Sequence, residues 1–96
     1  MKLRWSATSR EDRDQIFDYI KADSVNSAIL VDQRIVAHAR LLGEFPARGR
    51  PGRIADTREL VVQGTSHILV YRELPGIVRI IRVLHSAQSW PEAADD

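Results

Sequence analysis

Cationic side chains inside the apolar runs of the C-terminal half are the residues of this sequence best suited to chemistry. The runs TRELVV, HILVYREL and IVRIIRVLH are rich in β-branched and aliphatic residues, yet they include Arg58, Arg72, Arg79, Arg82 and His85. A charge in such a run must reach water, pair with an acid or contact a ligand, because burying it unpaired is costly. Arginine presents a planar set of donors that matches phosphate and carboxylate groups. The pattern therefore predicts a surface for an anionic partner, either nucleic acid or an acidic protein segment.

A basic loop precedes these runs. The segment RGRPGR holds Arg48, Arg50 and Arg53 where proline and glycine prevent regular structure. A single loop arginine is usually a solvated charge. Here three arginines lie within six residues, beside the strand arginines, so a surface that faces an anion is as well supported as a solvated loop. Residues 45–91 carry seven arginines against three acidic residues, and seven minus three leaves +4 in a chain of net charge +1. The net positive charge is therefore concentrated in this half of the chain.

Several other kinds of chemistry have no support in the sequence. The chain has no cysteine, which excludes thiol nucleophiles, disulfides and Cys-based metal sites, and its three histidines lack ligand spacing. We therefore expect no metal and no other cofactor. The glycines match neither the P-loop nor the dinucleotide-binding pattern. No apolar run approaches the ~20 residues that span a bilayer, and the start lacks a secretory signal, so we expect a cytoplasmic protein without a membrane partner.

The elements that must position these residues follow from the apolar spacing of the 96-residue chain, which is long enough for one domain with one core. A short strand is predicted over 2–5 and a helix over 9–21, capped through Thr8 and Glu11 or through Ser9 and Asp12. A second helix is predicted over 25–42. Ser24 or Asn26 would cap it, and Gly43 would follow its end.

A meander of three antiparallel strands is predicted after the second helix. The basic loop covers 45–56, the strands cover 57–85 with turns centred on Gly64-Thr65 and Pro75-Gly76, and a tail covers 86–96. The order β-α-α-β-β-β predicts an α+β fold in one domain, 1–96. In this fold a helical hairpin packs on a small, mainly antiparallel sheet.

Pairing about the two turn centres predicts which residues share a face of the sheet. One face would hold Glu59, Val61, Ile68, Val70, Arg72, Arg79, Ile81 and His85. The helix-covered face would hold Leu60, Val62, Leu69, Tyr71, Val78, Ile80 and Leu84. Arg58 and Arg82 then fall on the core side, which requires that they lie at the sheet margin or that a β-bulge re-aims them.

The second helix has more apolar residues than one stripe needs. A broad buried face in a small fold is the favoured interpretation, by two to one. The alternative is that a flanking stripe around Ile29, Val36 and Ala37 forms a groove for a partner helix.

The order of elements and four short motifs resemble the toxins of the RelE/ParE superfamily of bacterial type II toxin-antitoxin modules, and the ParE branch in particular. The motifs are the loop FPARGRPGR and the strand segments TRELVV, ILVYRE and IIRVLHSAQSWP. The likeness in order and spacing covers nearly the whole chain.

This resemblance implies a toxin that a cognate, co-encoded antitoxin holds inactive in a hetero-oligomer, with the antitoxin's C-terminal segment wrapping the hairpin and the sheet. Operator DNA would be contacted only through the antitoxin. ParE-like members poison DNA gyrase, whereas RelE-like members are ribosome-dependent endoribonucleases. The residues expected to face a partner are Ile29, Val36, Ala37, Arg48, Arg50, Arg53, Arg58, Arg72, Arg82 and His85.

The two activities make different demands on the sheet. Cutting RNA through its 2′-OH requires a base, an acid and cations that stabilise the developing charge. The resemblance implies that nucleases of the superfamily carry such cations at positions corresponding to Glu59, Val61 and Ile68, none of which can stabilise a phosphate. A nuclease would have to rely instead on Arg72, Arg79, Arg82 and His85. We expect a structural or partner-contact role for His85, and we prefer the non-enzymatic gyrase poison; the nuclease and a non-toxic interaction module are the alternatives.

Overall fold

The structure is a computed structural model that describes residues 1–91. Its elements in chain order are β1 Lys2–Trp5, α1 Ala7–Lys21, α2 Val25–Glu44, a 3₁₀ turn Pro46–Arg48, β2 Arg50–Pro51, β3 Arg58–Val62, β4 His67–Leu74 and β5 Ile77–His85. The five strands form one sheet in the order β1-β5-β4-β3-β2. Strand β1 runs parallel to β5, and all other neighbours are antiparallel. The α+β class is confirmed, with one short strand, β2, inside the loop that was expected to be irregular.

Helix α1 begins at Ala7, two residues before the predicted start, because Ser6 caps it. The Ser6 hydroxyl accepts a hydrogen bond from the Ser9 amide at 3.0 Å and donates one to the carbonyl of Ile81 at 2.8 Å. The Ser6 amide also donates to the Ile80 carbonyl. Neither Thr8 nor Ser9 is the cap, since pairing with β5 fixes Ser6 as the first residue after β1.

Helix α2 is capped by Ser24, one of the two expected residues, but it continues through Gly43 to Glu44. The N-terminal ammonium of Met1 donates to the Gly43 carbonyl at 3.0 Å, and a Cβ at Gly43 would lie 3.3 Å from the Met1 carbonyl oxygen. The glycine therefore permits β1 to approach the end of the helix and does not terminate it.

A β-bulge in β5 changes the predicted faces of the sheet. Val70 pairs with Arg82, whereas the next residue, Tyr71, pairs with Ile80, so Ile81 is an extra residue. One extra residue inverts the alternation of side chains that follow it. The prediction that Leu84 faces the helices and His85 faces away is therefore wrong.

Beyond the bulge, Val83 joins the core cluster, Leu84 pairs with Ile68 on the face away from the helices, and His85 pairs with His67. The core lies between the hairpin and the near face of the sheet. It consists of Ile35, Ala39, Leu42, Val62, Leu69, Tyr71, Val78, Ile80 and Val83.

Helix α2 has one buried stripe and one exposed apolar stripe. Ala28, Ile35, Ala39 and Leu42 are buried. By contrast Ile29 is 43% exposed, Ala37 is exposed and Val36 is partly buried; Val25 and Leu30 are also exposed. The favoured expectation of one broad buried face was wrong, because the sheet of so small a domain covers only one side of the helix.

Candidate functional site

A groove of about 530 Å³ lies where α1, α2 and the C-terminal end of β5 meet. We call it the helix groove. Its residues are Asp12, Gln15, Ile16, Tyr19, Ile20, Val31, Thr65, Ser66, His67, Arg82, Val83, His85 and Gln88. Tyr19 is 82% exposed at this site, although most of its ring is apolar. The helix groove therefore offers a mixed surface of apolar walls and polar groups that is typical of a binding site.

The helix groove exists because β1 is shorter than β5. The last residue of β1, Trp5, pairs with Ile80, so after Ile80 no strand of the described chain borders β5 on that side. Asp12 of α1 takes the place of a strand there, accepting a hydrogen bond from the Val83 amide at 2.9 Å. A helix beside a strand edge does not fill all the space that a longer β1 would occupy, and the groove results.

Arg82 lies at the floor of the helix groove, where it pairs with Asp12 of α1. Its Nε donates to Oδ2 of Asp12 at 2.8 Å and its Nη2 donates to Oδ1 at 3.1 Å. The guanidinium carbon lies 5.3 Å from the centre of the Trp90 ring, within the range of a cation–π contact. Both partners of the ion pair are largely buried. Arg82 thus joins α1 to β5, and the bulge gives it the direction that the sequence could not assign.

Two histidines meet at the end of the sheet, inside the helix groove. The rings of His67 and His85 lie 5.6 Å apart and nearly perpendicular to each other. Burial lowers the pKa of His67, and the nearby charge of His85 lowers it further. Nδ1 of His85 accepts a hydrogen bond from the Ala87 amide at 3.1 Å, which leaves Nε2 to carry the proton of the neutral ring. His67 was not singled out from the sequence, because its role depends on the register of β4 with β5.

Glu59 holds the basic loop against the face of the sheet that points away from the helices. Its side chain is almost fully buried. It accepts hydrogen bonds from the Arg53 amide at 2.9 Å and from Nη2 of Arg53 at 3.0 Å, while Arg50 lies 3.6 Å away. The pKa of Glu59 is lowered, chiefly by the side-chain hydrogen bonds from Arg53, against the opposing effect of burial. This carboxylate therefore stays negative at a position where the nuclease alternative would require a cation.

The same loop is held at a second point by Tyr71 and Arg58. The buried Tyr71 hydroxyl accepts a hydrogen bond from the Gly49 amide at 2.8 Å and donates one to the Pro46 carbonyl at 2.7 Å. Nη1 of Arg58 donates to the Gly49 carbonyl at 2.9 Å. A Cβ at Gly49 would lie 2.6 Å from the Tyr71 hydroxyl, so only glycine fits there. Arg58 is the first residue of β3, with β2 on one side and β4 on the other, and its charge is directed to backbone carbonyls.

Arg72 and Arg79 are the strand arginines that have no hydrogen bond or ion pair with any residue in 1–91. They are neighbours across β4 and β5, and both are exposed. A cleft of about 360 Å³ is lined by Ser6, Thr8, Arg72, Leu74, Arg79, Ile81 and Arg82. His85 does not line this cleft. The four candidate nuclease residues are thus divided between the cleft and the helix groove, with only Arg82 lining both.

Other residues of these sites had partial signals in the sequence. Arg4 was not singled out from the sequence, although its alternation with Leu3 and Trp5 in β1 is a signal for the exposed face. Asp12 appeared only as half of a capping alternative, since nothing local predicts contact with a strand 70 residues away. Within residues 1–91 no group of histidine, aspartate or glutamate side chains could hold a metal ion. No helix of the described chain has the length and apolar character to cross a membrane.

Comparison with known proteins identifies the family. The protein-family model described as the ParE toxin of the type II toxin-antitoxin system parDE matches residues 3–90. The protein Y4kP of Sinorhizobium fredii, named as a candidate toxin, is 40% identical over 91 residues, which cover 95% of this chain and 94% of that protein. Toxin RelE2 of Caulobacter vibrioides is 34% identical over 84 residues, covering 88% and 93%.

Solved structures agree on the fold. A chain of the chromosomal ParDE TA system from P. aeruginosa superimposes with a TM-score of 0.81 at 24% identity, covering 88% of this chain and 95% of that one. The YoeB/ParE toxin from Agrobacterium tumefaciens gives a TM-score of 0.57 at 18% identity, covering 88% and 98%. The family match over residues 3–90, together with these relatives, shows that the chain belongs to the ParE toxin family of type II toxin-antitoxin systems.

Proposed function

We propose that this toxin inhibits DNA gyrase and does not cut mRNA, and that a co-encoded antitoxin neutralises it through the helix groove. The observation that carries the first part is Glu59. A nuclease of the superfamily would present a cation at this position, but here a buried carboxylate with a lowered pKa is clamped by Arg53. A fixed negative charge disfavours the developing charge on a phosphate in the transition state.

The separation of the candidate catalytic residues also disfavours RNA cleavage. Within residues 1–91, the cleft beside Arg72 and Arg79 is lined by no histidine and no carboxylate. Arginine remains protonated at any physiological pH and cannot serve as the general base. His85, the remaining acid or base, lies in the helix groove, where it contacts His67. Membership of the ParE family supports gyrase as the target, whereas the 34% identical relative named RelE2 keeps the ribosome as the alternative.

Two assays with purified toxin decide between the targets. We expect loss of gyrase supercoiling activity and no cleavage of mRNA during coupled translation. Ribosome-dependent cuts that disappear in His85→Ala, with supercoiling unaffected, would establish the nuclease instead. Absence of both effects, together with normal growth when the toxin is expressed alone, would favour the non-toxic interaction module.

The antitoxin proposal rests on the apolar surface that the fold leaves exposed. Tyr19 stands at the helix groove, and Ile29 lies in the exposed stripe of α2. A partner helix that covers such side chains gains the energy of removing them from water. Arg53, Arg58 and Arg82 are already held by groups of this chain, so the exposed Arg48 is the better candidate for an acidic group of the antitoxin.

Calorimetric titration with the C-terminal peptide of the antitoxin tests this site. Tyr19→Ala should weaken binding by about 30-fold, since buried aromatic anchors contribute on the order of 2 kcal/mol or more. Ile29→Asp should also weaken it. Leu74→Ala is the matched control, because Leu74 is an exposed apolar residue beside the β4–β5 turn. Equal losses in all three variants, or none, would remove the helix groove as the antitoxin site.

A further inference from the structure

A row of three arginines crosses the sheet on the face that points away from the helices. Arg4 of β1 pairs with Arg79 of β5, and Arg79 pairs with Arg72 of β4. The neighbours of Arg4 in β1, Leu3 and Trp5, pack against the core, so Arg4 lies on the opposite face. All three arginines are exposed. We call this set the arginine row.

Nothing in the described part of the chain compensates the charge of the arginine row. Like charges placed directly opposite each other on neighbouring strands destabilise a sheet. The acidic residues of β3 and β4 do not relieve the repulsion. Glu59 is engaged by Arg53, and Glu73 pairs with the core residue Val78 and therefore lies on the other face. Stability of the fold does not account for three adjacent arginines, which indicates a ligand of opposite charge.

A second positive feature converges on the same place. The cleft beside Arg72 and Arg79 is also lined by Ser6 and Thr8, which belong to the first turn of α1 and its cap. The first amide groups of a helix lack acceptors within the helix, and the helix dipole makes this end positive. No acidic residue occupies the first turn of α1. The 15-residue helix thus directs its positive end toward the arginines.

We propose that the arginine row and this cleft bind the phosphodiester backbone of a nucleic acid. Neighbouring strands lie about 4.8 Å apart, so three strands spread the guanidinium groups over about 10 Å, enough for successive phosphates of one strand. Arginine forks, helix N-termini and threonine hydroxyls are the groups that contact phosphate oxygens in proteins. One guanidinium group is enough to bind a single carboxylate with two hydrogen bonds. The arginine row supplies donors for several negatively charged oxygens in succession.

The proposed contact does not depend on the nucleotide sequence, since these groups contact phosphates and not base edges. It goes beyond gyrase inhibition and antitoxin binding because it concerns a second site, the cleft beside Arg72 and Arg79, which shares only Arg82 with the helix groove. A toxin that binds nucleic acid on this face could approach its target with the DNA or RNA that the target already holds.

Fluorescence anisotropy with a labelled 20-base-pair DNA duplex tests the proposal without gyrase or ribosomes. We expect the wild type to bind two duplexes of unrelated sequence equally, with affinity that falls as salt rises. The double variant Arg72→Ala/Arg79→Ala should bind about tenfold more weakly at 50 mM salt. Its plot of log affinity against log salt should lose about 0.9 in slope for each phosphate contact removed.

The control is the double variant Arg10→Ala/Arg40→Ala, which removes the same charge from exposed positions on the two helices. It should keep the wild-type slope, and circular dichroism should confirm that both double variants are folded. Equal loss in the control would show a nonspecific effect of net charge and overturn the proposal. Binding of a polyglutamate peptide with the same dependence on Arg72 and Arg79, and no binding of duplex, would assign the surface to an acidic protein segment instead.

Discussion

Replacing the buried carboxylate of Glu59 tests how the basic loop is held. Glu59→Gln keeps the size of the side chain but removes the charge that receives the Arg53 amide and guanidinium. Hydrogen bonds to a buried charged group contribute about 1.5 to 3 kcal/mol, and solvent around the partly exposed arginines reduces the gain. We therefore expect a loss of about 2 kcal/mol in the free energy of unfolding. For a domain of this size that lowers Tm by roughly 10 °C.

The pH dependence of this loss identifies its origin. The folded pKa of Glu59 lies below the unfolded value of 4.5, so its contribution is fully present above that pH and is lost as pH falls through the folded pKa. Urea unfolding followed by circular dichroism should show a gap between wild type and Glu59→Gln that is large at pH 7 and shrinks below pH 4.5. Glu73→Gln, at an exposed carboxylate on β4, should show no gap. A gap that persists unchanged at pH 3.5, or none at pH 7, would refute the reasoning.

Three further predictions concern contacts between distant parts of the chain. Tyr71→Phe leaves the Gly49 amide without its acceptor and should cost about 1 to 3 kcal/mol in urea unfolding; wild-type stability would contradict the bond. Asp12→Ala frees the Val83 amide and a buried guanidinium, so we expect a loss of about 3 kcal/mol and faster hydrogen exchange at that amide. His67 has a folded pKa below 6.5, so wild-type stability should decline as pH falls through 6.5; His67→Gln should flatten this decline, and an equal slope in both would refute it.

Local patterns in the sequence determined the element types, their order and the fold class. The period of apolar residues, the turns at Gly64 and Gly76, and the serine that caps α2 all depend on residues close in the chain. Both glycines have positive φ, at 79° and 72°, as the turns require. The motifs of the strands were sufficient to indicate the ParE branch. The identity of Glu59 was also sufficient to question RNA cleavage.

Tertiary structure alone decided which cations are engaged and which are exposed. Arg82 is paired because the fold places Asp12, 70 residues away in the chain, beside it. Arg58 is held by the loop that folds back on the sheet, and Arg53 of that loop is held by Glu59 of β3. The extra residue Ile81 in β5 reversed the faces of Leu84 and His85, because strand alternation depends on register, and pairing over a distance sets the register. Sequence supplied the list of charges. The long-range packing of α1 and the loop determined that Arg53, Arg58 and Arg82 are engaged, whereas Arg72 and Arg79 have no hydrogen bond or ion pair within residues 1–91.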